Sequence, residues 1–310
     1  MPNCHVCEQK LKTGFSEVTD PQTKEKFAVL ACAKCGFSET HPQPENIGVY
    51  YAEYYGERHG FTNDYCAWRR IGFLEKSYRS NKHPKRVLDV GCGDGTFLEA
   101  ARKKGWQVAG TELNAGRFED ANLNICGDLL EVKEKFGVSS FDAVTMWHTL
   151  EHFRAPREIL ENVSELLAPD GVLLVAVPDA RGFQAKTFGK YWLHLDVPRH
   201  LFHFDFHSLK LLLAQTGFEV KNQWHQEFEY DLLGWSQSAL NAIFKEPNVF
   251  FKSLAGHESN VSAIIKTMNF ALGVGLSALA LPFVLFGTLA QKGGTLIVCA
   301  RKKLSTDAHR

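Results

Sequence analysis

Four cysteines stand in two close pairs, Cys4 with Cys7 and Cys32 with Cys35, each pair separated by two residues. Thiolates at that spacing match the tetrahedral sulfur shell that Zn²⁺ prefers. A segment of about 40 residues buries too little core to hold its shape without such a staple. Structural zinc is the reading; empty or redox-active thiols and a catalytic metal with an open position are the alternatives. His5 and His41 read as exposed polar residues, since four cysteines complete the shell. A second chemistry is carried by Gly91-Cys92-Gly93-Asp94-Gly95. Glycines there let the backbone turn sharply and come close to a ligand, and Glu112, roughly 20 residues on, is placed to accept hydrogen bonds from both hydroxyls of a ribose. The spacing is neither G-x-G-x-x-G nor that of a lysine-bearing phosphate loop. Two histidine clusters follow: His148, Glu151 and His152 in WHTLEHFRAP, and His194, Asp196, Arg199, His200, His203 and His207 in YWLHLDVPRHLFHFDFHSL. Imidazoles titrate near neutrality and serve as bases or metal ligands. Arg199 is suited to holding an acidic group with two parallel hydrogen bonds.

These residues need elements to position them. Lys85 to Asn114 reads as an apolar strand, a glycine turn, an amphipathic helix and a second strand, which is half of a doubly wound sheet. FDAVTMW at 141–147 is the fourth strand, APREILENVSELLAPDG a helix closing in a Pro-Asp-Gly turn, and GVLLVAVP the fifth strand. SLKLLLAQTGF gives a helix with Ser208 as its cap and Gly217 at its end; GFEVKNQWHQ and GGTLIVCARKK supply strands six and seven. FAVLACAKCGF is a short strand entering the second cysteine pair. Ligands in such sheets sit beyond the carboxyl ends of the strands, where each of these motifs falls.

The stretch VLDVGCGDGTF resembles the first motif of the class I S-adenosylmethionine-dependent methyltransferases, and the resemblance runs from about Val87 to Phe218. It implies an α/β fold, a doubly wound, seven-stranded, Rossmann-like sheet, here with an amino-terminal zinc ribbon and a helical apolar insertion between strands six and seven. It also implies that Asp89 and the backbone of Gly91, Cys92, Gly93 and Gly95 surround the methionine part of S-adenosylmethionine. Glu112 then binds the ribose, Asp128 meets the adenine amino group, Leu113 and Leu129 pack on the ring, and Trp147 joins the cofactor-binding set. WHTLEHFRAP is similar to the Leu-Glu-His segment of quinone-pathway O-methyltransferases, with His148 where those carry an acidic residue. His148, His152 and His200 are the candidate bases or acceptor-orienting groups, Arg199 and His203 the candidate acceptor-binding groups, and packing or turn formation the competing reading of each. By the same resemblance Tyr54 and Tyr55 either contact the methionine end or dock the ribbon.

Lys plus Arg equals Asp plus Glu at 35 each, so no overall basic field favours nucleic acid as a partner. MPNCHVCEQK lacks the apolar run of a signal peptide, which sets the expectation of a cytosolic chain with reduced thiols. Thr267 to Gln291 carries no charge and is flanked by Lys266 and Lys292. About 20 such residues suffice to span a bilayer, but strand seven must return to the sheet of strand six. Pro282 sits where a helix breaks, and Gly273 and Gly275 permit close packing, so a re-entrant or interfacial helical hairpin is expected. A dimer interface and a lid over a pocket are the other readings. The organisation expected is a ribbon over 1–45, a helical lid over 46–84, the core over 85–228, the insertion over 229–293 and the last strand with its tail over 294–310. Function reads as O-methylation of a lipophilic acceptor, a small molecule or lipid, at a membrane surface. The alternatives are a soluble sugar or metabolite methyltransferase, in which the insertion makes a homodimer, and a non-catalytic membrane-bound assembly module.

Overall fold

The structure is a computed structural model that describes residues 1–51, 61–79, 84–118, 120–225, 227–257, 259 and 261–303. In chain order the elements are β1 (Lys12–Thr19), β2 (Lys26–Ala31), β3 (Ser38–His41), α1 (Phe61–Ser77), β4 (Lys85–Val90), α2 (Thr96–Lys103), β5 (Trp106–Thr111) and β6 (Ile125–Cys126). There follow α3 (Leu129–Phe136), β7 (Phe141–Trp147), α4 (Pro156–Leu166), β8 (Leu167–Pro178), α5 (Phe183–Phe188), β9 (Phe202–His203), α6 (Phe206–Gln215) and β10 (Phe218–Trp224). The last are α7 (Phe228–Ile243), α8 (Val249–Leu254), α9 (Ala263–Leu289) and β11 (Thr295–Lys302). Tyr54 and Tyr55 lie outside the described residues.

The chain divides into two compact units, each assembled from separate stretches. One, the sheet unit, comprises His59–Val177, Lys210–Gln223 and Ile297–Arg310. Its seven strands run in the order β10-β11-β8-β7-β4-β5-β6, with β4 parallel to both β5 and β7. This is the doubly wound α/β sheet expected, with the sixth and seventh strands side by side although a long insertion separates them. Val87, Leu88, Val144, Met146, Leu173 and Leu174 are fully buried, as strands covered on both faces require. The order reverses at β4, and a crevice for ligands forms at such a point. The Pro169-Asp170-Gly171 turn expected after α4 is instead drawn into β8. Phe141 pairs with Leu167 and Ala143 with Val172, so a bulge absorbs the extra residues.

The other, the ribbon unit, comprises Met1–Arg58, Pro178–Leu209 and Trp224–Leu296. Its four-stranded sheet is β1-β2-β3-β9, so the ribbon hairpins take their fourth strand from the Pro-Arg-His-Leu stretch. Phe27, Val29, Tyr50, Trp192, Leu195 and Val197 share one core cluster there. At the start of α6 the cap is Asp205 rather than Ser208. Asp205 Oδ1 accepts the Ser208 N–H at 2.8 Å and the Asp205 N–H donates to Ser208 Oγ at 3.0 Å, because the helix begins two residues before that serine.

Within the insertion, which holds α7, α8 and α9, the uncharged stretch forms one continuous helix, α9, rather than a hairpin broken at Pro282. A proline removes one N–H from the ladder. Here its neighbours are held in register, with Trp235 of α7 against Phe283 at a centroid distance of 5.2 Å. Gly273 does allow close packing, since a Cβ there would stand 2.4 Å from the Phe250 ring of α8, whereas Gly275 faces open space.

Candidate active site

In the sheet unit the turn from β4 into α2 is made by glycines in the left-handed region. Gly91 has φ +72° and a Cβ on it would sit 2.4 Å from Thr149, while Gly93 has φ +59° with nothing within 4 Å of a Cβ. The first glycine is needed for packing; at the second, open space stands where a side chain would be. The Gly91 N–H donates to Thr111 Oγ1 at 3.1 Å and the Cys92 N–H to the Thr111 carbonyl at 2.9 Å, tying the turn to the end of β5. Cys92 itself turns its sulfur into the core against Gly110 and contributes backbone only. Glu112, one residue beyond β5, reaches back to accept the Gly93 N–H at 3.1 Å and holds the Leu113 N–H at 3.0 Å. Its carboxylate is thereby fixed over the glycine turn. Leu113 is 89% exposed, an apolar side chain with no protein cover at the strand end. Asp128 caps α3, its Oδ1 accepting the Leu130 and Glu131 N–H groups.

Asp89 is buried in β4 and its Oδ1 accepts the Thr145 hydroxyl at 2.6 Å. Burial pushes its carboxyl up to about 7, against the Thr145 hydrogen bond and the Arg70 charge, which favour the anion. Bare glycine backbone, an anchored carboxylate and an uncovered leucine are what an adenosyl cofactor with a charged amino-acid end requires, so the residues fit S-adenosylmethionine. Two members of the expected set are placed differently. Leu129 is buried because the first turn of α3 faces the sheet. Trp147 is buried beside Phe73 of α1 and Phe97 of α2, with the Arg70 guanidinium 5.1 Å over its ring. Both shape the wall from inside.

His148 follows β7 directly, with φ +55°, a strained value for a residue bearing a side chain. Its N–H donates to the Ala176 carbonyl of β8 at 2.9 Å, which accounts for the turn. Its Nδ1 stands 3.7 Å from the buried carboxylate of Glu151. This sets an imidazole beside a carboxylate, the kind of pair that proton transfer uses. His152 is half-buried in the same short turn, its N–H on the Thr149 carbonyl.

The Pro-Arg-His-Leu residues belong to the ribbon unit. Arg199 is 1% exposed. It donates through Nε to Asp196 at 2.9 Å and through Nη1 to Asp20 at 3.0 Å and to the Tyr50 carbonyl at 3.2 Å. It braces the ribbon onto this loop rather than receiving an acidic acceptor, because both carboxylates are already supplied from within. His203 lies in β9, buried, with Nε2 3.1 Å from Thr40 Oγ1, which excludes it from an open pocket. His200 is 8% exposed and its Nδ1 is 2.9 Å from the His194 carbonyl.

Cys4, Cys7, Cys32 and Cys35 place four sulfurs within 4.8 Å of one another, with Cys4 to Cys35 at 3.5 Å and Cys7 to Cys32 at 3.4 Å. A tetrahedron with Zn–S of about 2.3 Å has edges near 3.8 Å, so the cluster fits. The Val6 N–H points at Cys4 Sγ from 3.4 Å, as expected around thiolates. His5 sits outside the shell, Nδ1 on Glu39 at 2.8 Å.

A buried polar group that the sequence did not mark lies where α9 ends. Asp179, Gln184, His225, Glu227 and Asp231 are all buried in the ribbon unit. Asp231 accepts the Gly294 N–H at 2.8 Å, Gln184 donates to the Asp231 carbonyl at 2.9 Å, and His225 Nδ1 is 3.7 Å from Asp179. Burial, with the Glu227 charge, pushes Asp231 up to about 8, and burial raises Asp179 to about 6. Burial, with the Lys292 charge, lowers His225 to about 4.

Comparison with known proteins joins these observations. Residues 62–223 match a family model described as a methyltransferase domain. A ubiquinone biosynthesis O-methyltransferase of Idiomarina loihiensis is 32% identical over 111 residues, covering 33% of this chain and 45% of that protein. The protein of the same name from Coxiella burnetii is 34% identical over 114 residues, covering 34% and 47%. The chain thus spans about half the length of the curated relatives it matches. Among solved structures, a SAM-dependent methyltransferase from Archaeoglobus fulgidus aligns over 77% of this chain and 94% of its own, at 20% identity and a TM-score of 0.48.

Proposed function

Because the chain belongs to the methyltransferase domain family, we propose that it transfers a methyl group from S-adenosylmethionine to a hydroxyl oxygen of a lipophilic small-molecule acceptor presented at the cytoplasmic surface of a membrane. The observation that carries this reading is the placement of His148, beside the buried carboxylate of Glu151, in the unit that also holds the glycine turn and Glu112. The names of the ubiquinone biosynthesis relatives support an oxygen acceptor in a lipophilic molecule.

S-adenosylmethionine, when bound, supplies a methyl carbon activated by the sulfonium. The chain's residues have three tasks. Asp89, Glu112 and the Gly91–Gly95 backbone hold the cofactor by its charged end and ribose, and Asp128 and Leu113 serve the adenine. His148 takes the proton of the acceptor hydroxyl as its oxygen attacks, and Glu151 stabilises the resulting imidazolium. His152 lines the same turn and orients the acceptor. Alignment supplies most of the acceleration in such a displacement. The four cysteines hold one zinc with no open position, which makes it a structural ion that orders the ribbon unit.

The test is methyl transfer to a hydroxylated polyprenyl phenol in vesicles beside soluble sugar acceptors. His148→Ala is expected to lower kcat about 100-fold or more, with cofactor affinity unchanged. Glu112→Ala weakens cofactor binding by about 1–3 kcal/mol. Transfer to sugars alone would establish the soluble-metabolite reading instead, and cofactor binding with no transfer to any acceptor the assembly-module reading.

A further inference from the structure

α9 is 27 residues long, about 40 Å at 1.5 Å per residue. Its most apolar window has a mean hydropathy of 2.1 and is only 22% buried. The buried residues of α9 are Asn269, Gly273, Ala280, Val284 and Gly287, a stripe of mostly small side chains repeating at helical spacing. Every exposed residue from Met268 to Leu289 is apolar. Leu272, Leu279, Leu281, Leu285 and Leu289 are between 40% and 84% exposed. At 3.6 residues per turn the exposed apolar side chains sweep an arc of roughly 220°. The polar atoms on the helix are turned inward along it, with Asn269 Nδ2 donating to the Ile265 carbonyl at 3.0 Å and Ser277 Oγ to the Gly273 carbonyl at 2.8 Å.

Water cannot be the partner of such an arc, and the alternatives differ in shape. One packed helix covers a stripe about 100° wide, so a second copy of the chain would leave half of the arc wet. A protein interface also carries polar groups over about 40% of its area, and this arc has none. An amphipathic helix lying in the headgroup region has a charged face; here that place is taken by the small-residue stripe. Spanning is excluded by the helix's attachments to its own unit. Phe270 packs on Phe250 near the start, Phe283 on Trp235 in the last third, and Phe286 stacks on Phe183 at 5.5 Å near the end. α9 therefore stays against its unit along its length.

We propose that α9 is immersed lengthwise in the hydrocarbon of a single membrane leaflet, with Lys266 and Lys292 at its ends reaching the headgroups, so that the chain is a monotopic membrane protein. The inference rests on the reading of a membrane-presented acceptor and specifies how the membrane is met. A helix about 10 Å across fits within a leaflet whose hydrocarbon is about 15 Å deep. Lysine stems can climb the remaining distance.

The experiment is flotation of the full chain with uncharged phosphatidylcholine vesicles, with cofactor binding measured on the same samples. Immersion predicts flotation that survives high salt. Leu279→Glu/Leu285→Glu, on opposite shoulders of the arc, should lose more than about tenfold in partitioning while binding S-adenosylmethionine normally. Thr267→Cys and Gln291→Cys should both react with an impermeant maleimide added outside the vesicles, above the background of the native cysteines. Absence of flotation, flotation only with anionic lipid at low salt, a lipid-free dimer dispersed by Leu279→Glu/Leu285→Glu, or protection of one of the two new cysteines would each overturn the proposal. Methyl transfer to the polyprenyl phenol in detergent, assayed in parallel, separates the two claims, since activity without flotation removes the immersion and leaves the acceptor.

Discussion

The glycine turn after β4 and the Pro-Arg-His-Leu loop look alike as strings of residues, each concentrating polar side chains in a short stretch. In three dimensions they differ in what those side chains hold. Around the turn, Glu112 and Asp128 spend their hydrogen bonds on backbone N–H groups at exposed strand ends, and Leu113 is left uncovered. In the loop, Arg199, His200 and His203 are buried and bonded to carboxylates, carbonyls and a threonine of their own unit. A residue type suited to chemistry is a site only where its capacity is kept open. Exposure and partner, rather than type and spacing, decide between the two regions.

The contrast is broken most severely through the cysteines. If the ribbon unit depends on one zinc, Cys32→Ser or a strong chelator should remove about one metal per chain and unfold that unit, because its binding free energy is folding free energy. Metal analysis with circular dichroism checks this; a folded chain free of zinc would show that the cluster in Cys4, Cys7, Cys32 and Cys35 is only packed thiols.

A smaller effect tests Arg199 itself. Arg199→Met keeps the length of the side chain but leaves Asp20 and Asp196, 0% and 7% exposed, without their cation. Breaking a buried pair from one side costs about 3–5 kcal/mol. Denaturant unfolding should register that loss, and the affinity for S-adenosylmethionine of the protein that remains folded should not change. A stable variant that fails to bind acceptor would instead restore Arg199 as an acceptor residue and erase the contrast.

Most of the sheet unit is legible in the sequence because its signals are local. β7 and β8 carry long apolar runs and β4 the Val87-Leu88 and Val90 positions around Asp89, and the glycine turn is diagnostic only because Asp89 precedes it and Glu112 follows the next strand. The ribbon unit is less legible because it is assembled by pairings between distant residues. β3 meets β9 through Ser38 with His203 and Glu39 with Phe202, more than 160 positions apart. Nothing in the periodicity of PRHLFHF marks it as a fourth ribbon strand. Pro282 misleads for a related reason, since its local preference against a helix interior is overridden by packing on α7 and α8. Asp179, His225, Glu227 and Asp231 escape notice because charged residues at element ends and in an amphipathic helix read as solvated, whereas here they are buried, Asp231 with the Gly294 N–H on its carboxylate.

That buried group gives the smallest effect, in the pH dependence of the ribbon unit. Asp231 has an ordinary value of 3.8 and is held at about 8 in the fold, so between these values the native state keeps a proton that the unfolded state has lost. Its stabilising contribution is present in full below pH 3.8 and is lost as pH rises through 8. Asp179, raised to about 6, acts in the same direction over a lower range. His225 acts oppositely; lowered from 6.5 to about 4, its contribution is present above 6.5 and lost as pH falls towards 4. Of these three groups only Asp231 still contributes a slope above pH 6.5. There the stability of the native chain should fall by up to about 2 kcal/mol between neutral and mildly alkaline solution. Asp231→Asn retains an oxygen for the Gly294 N–H but no titrating proton, so its melting temperature should fall less steeply over the same range, keeping only the smaller slope that Asp89, held at about 7, adds. Parallel slopes for the two proteins would mean that Asp231 is ionised in the fold, with the charge of the brace carried by another of its members.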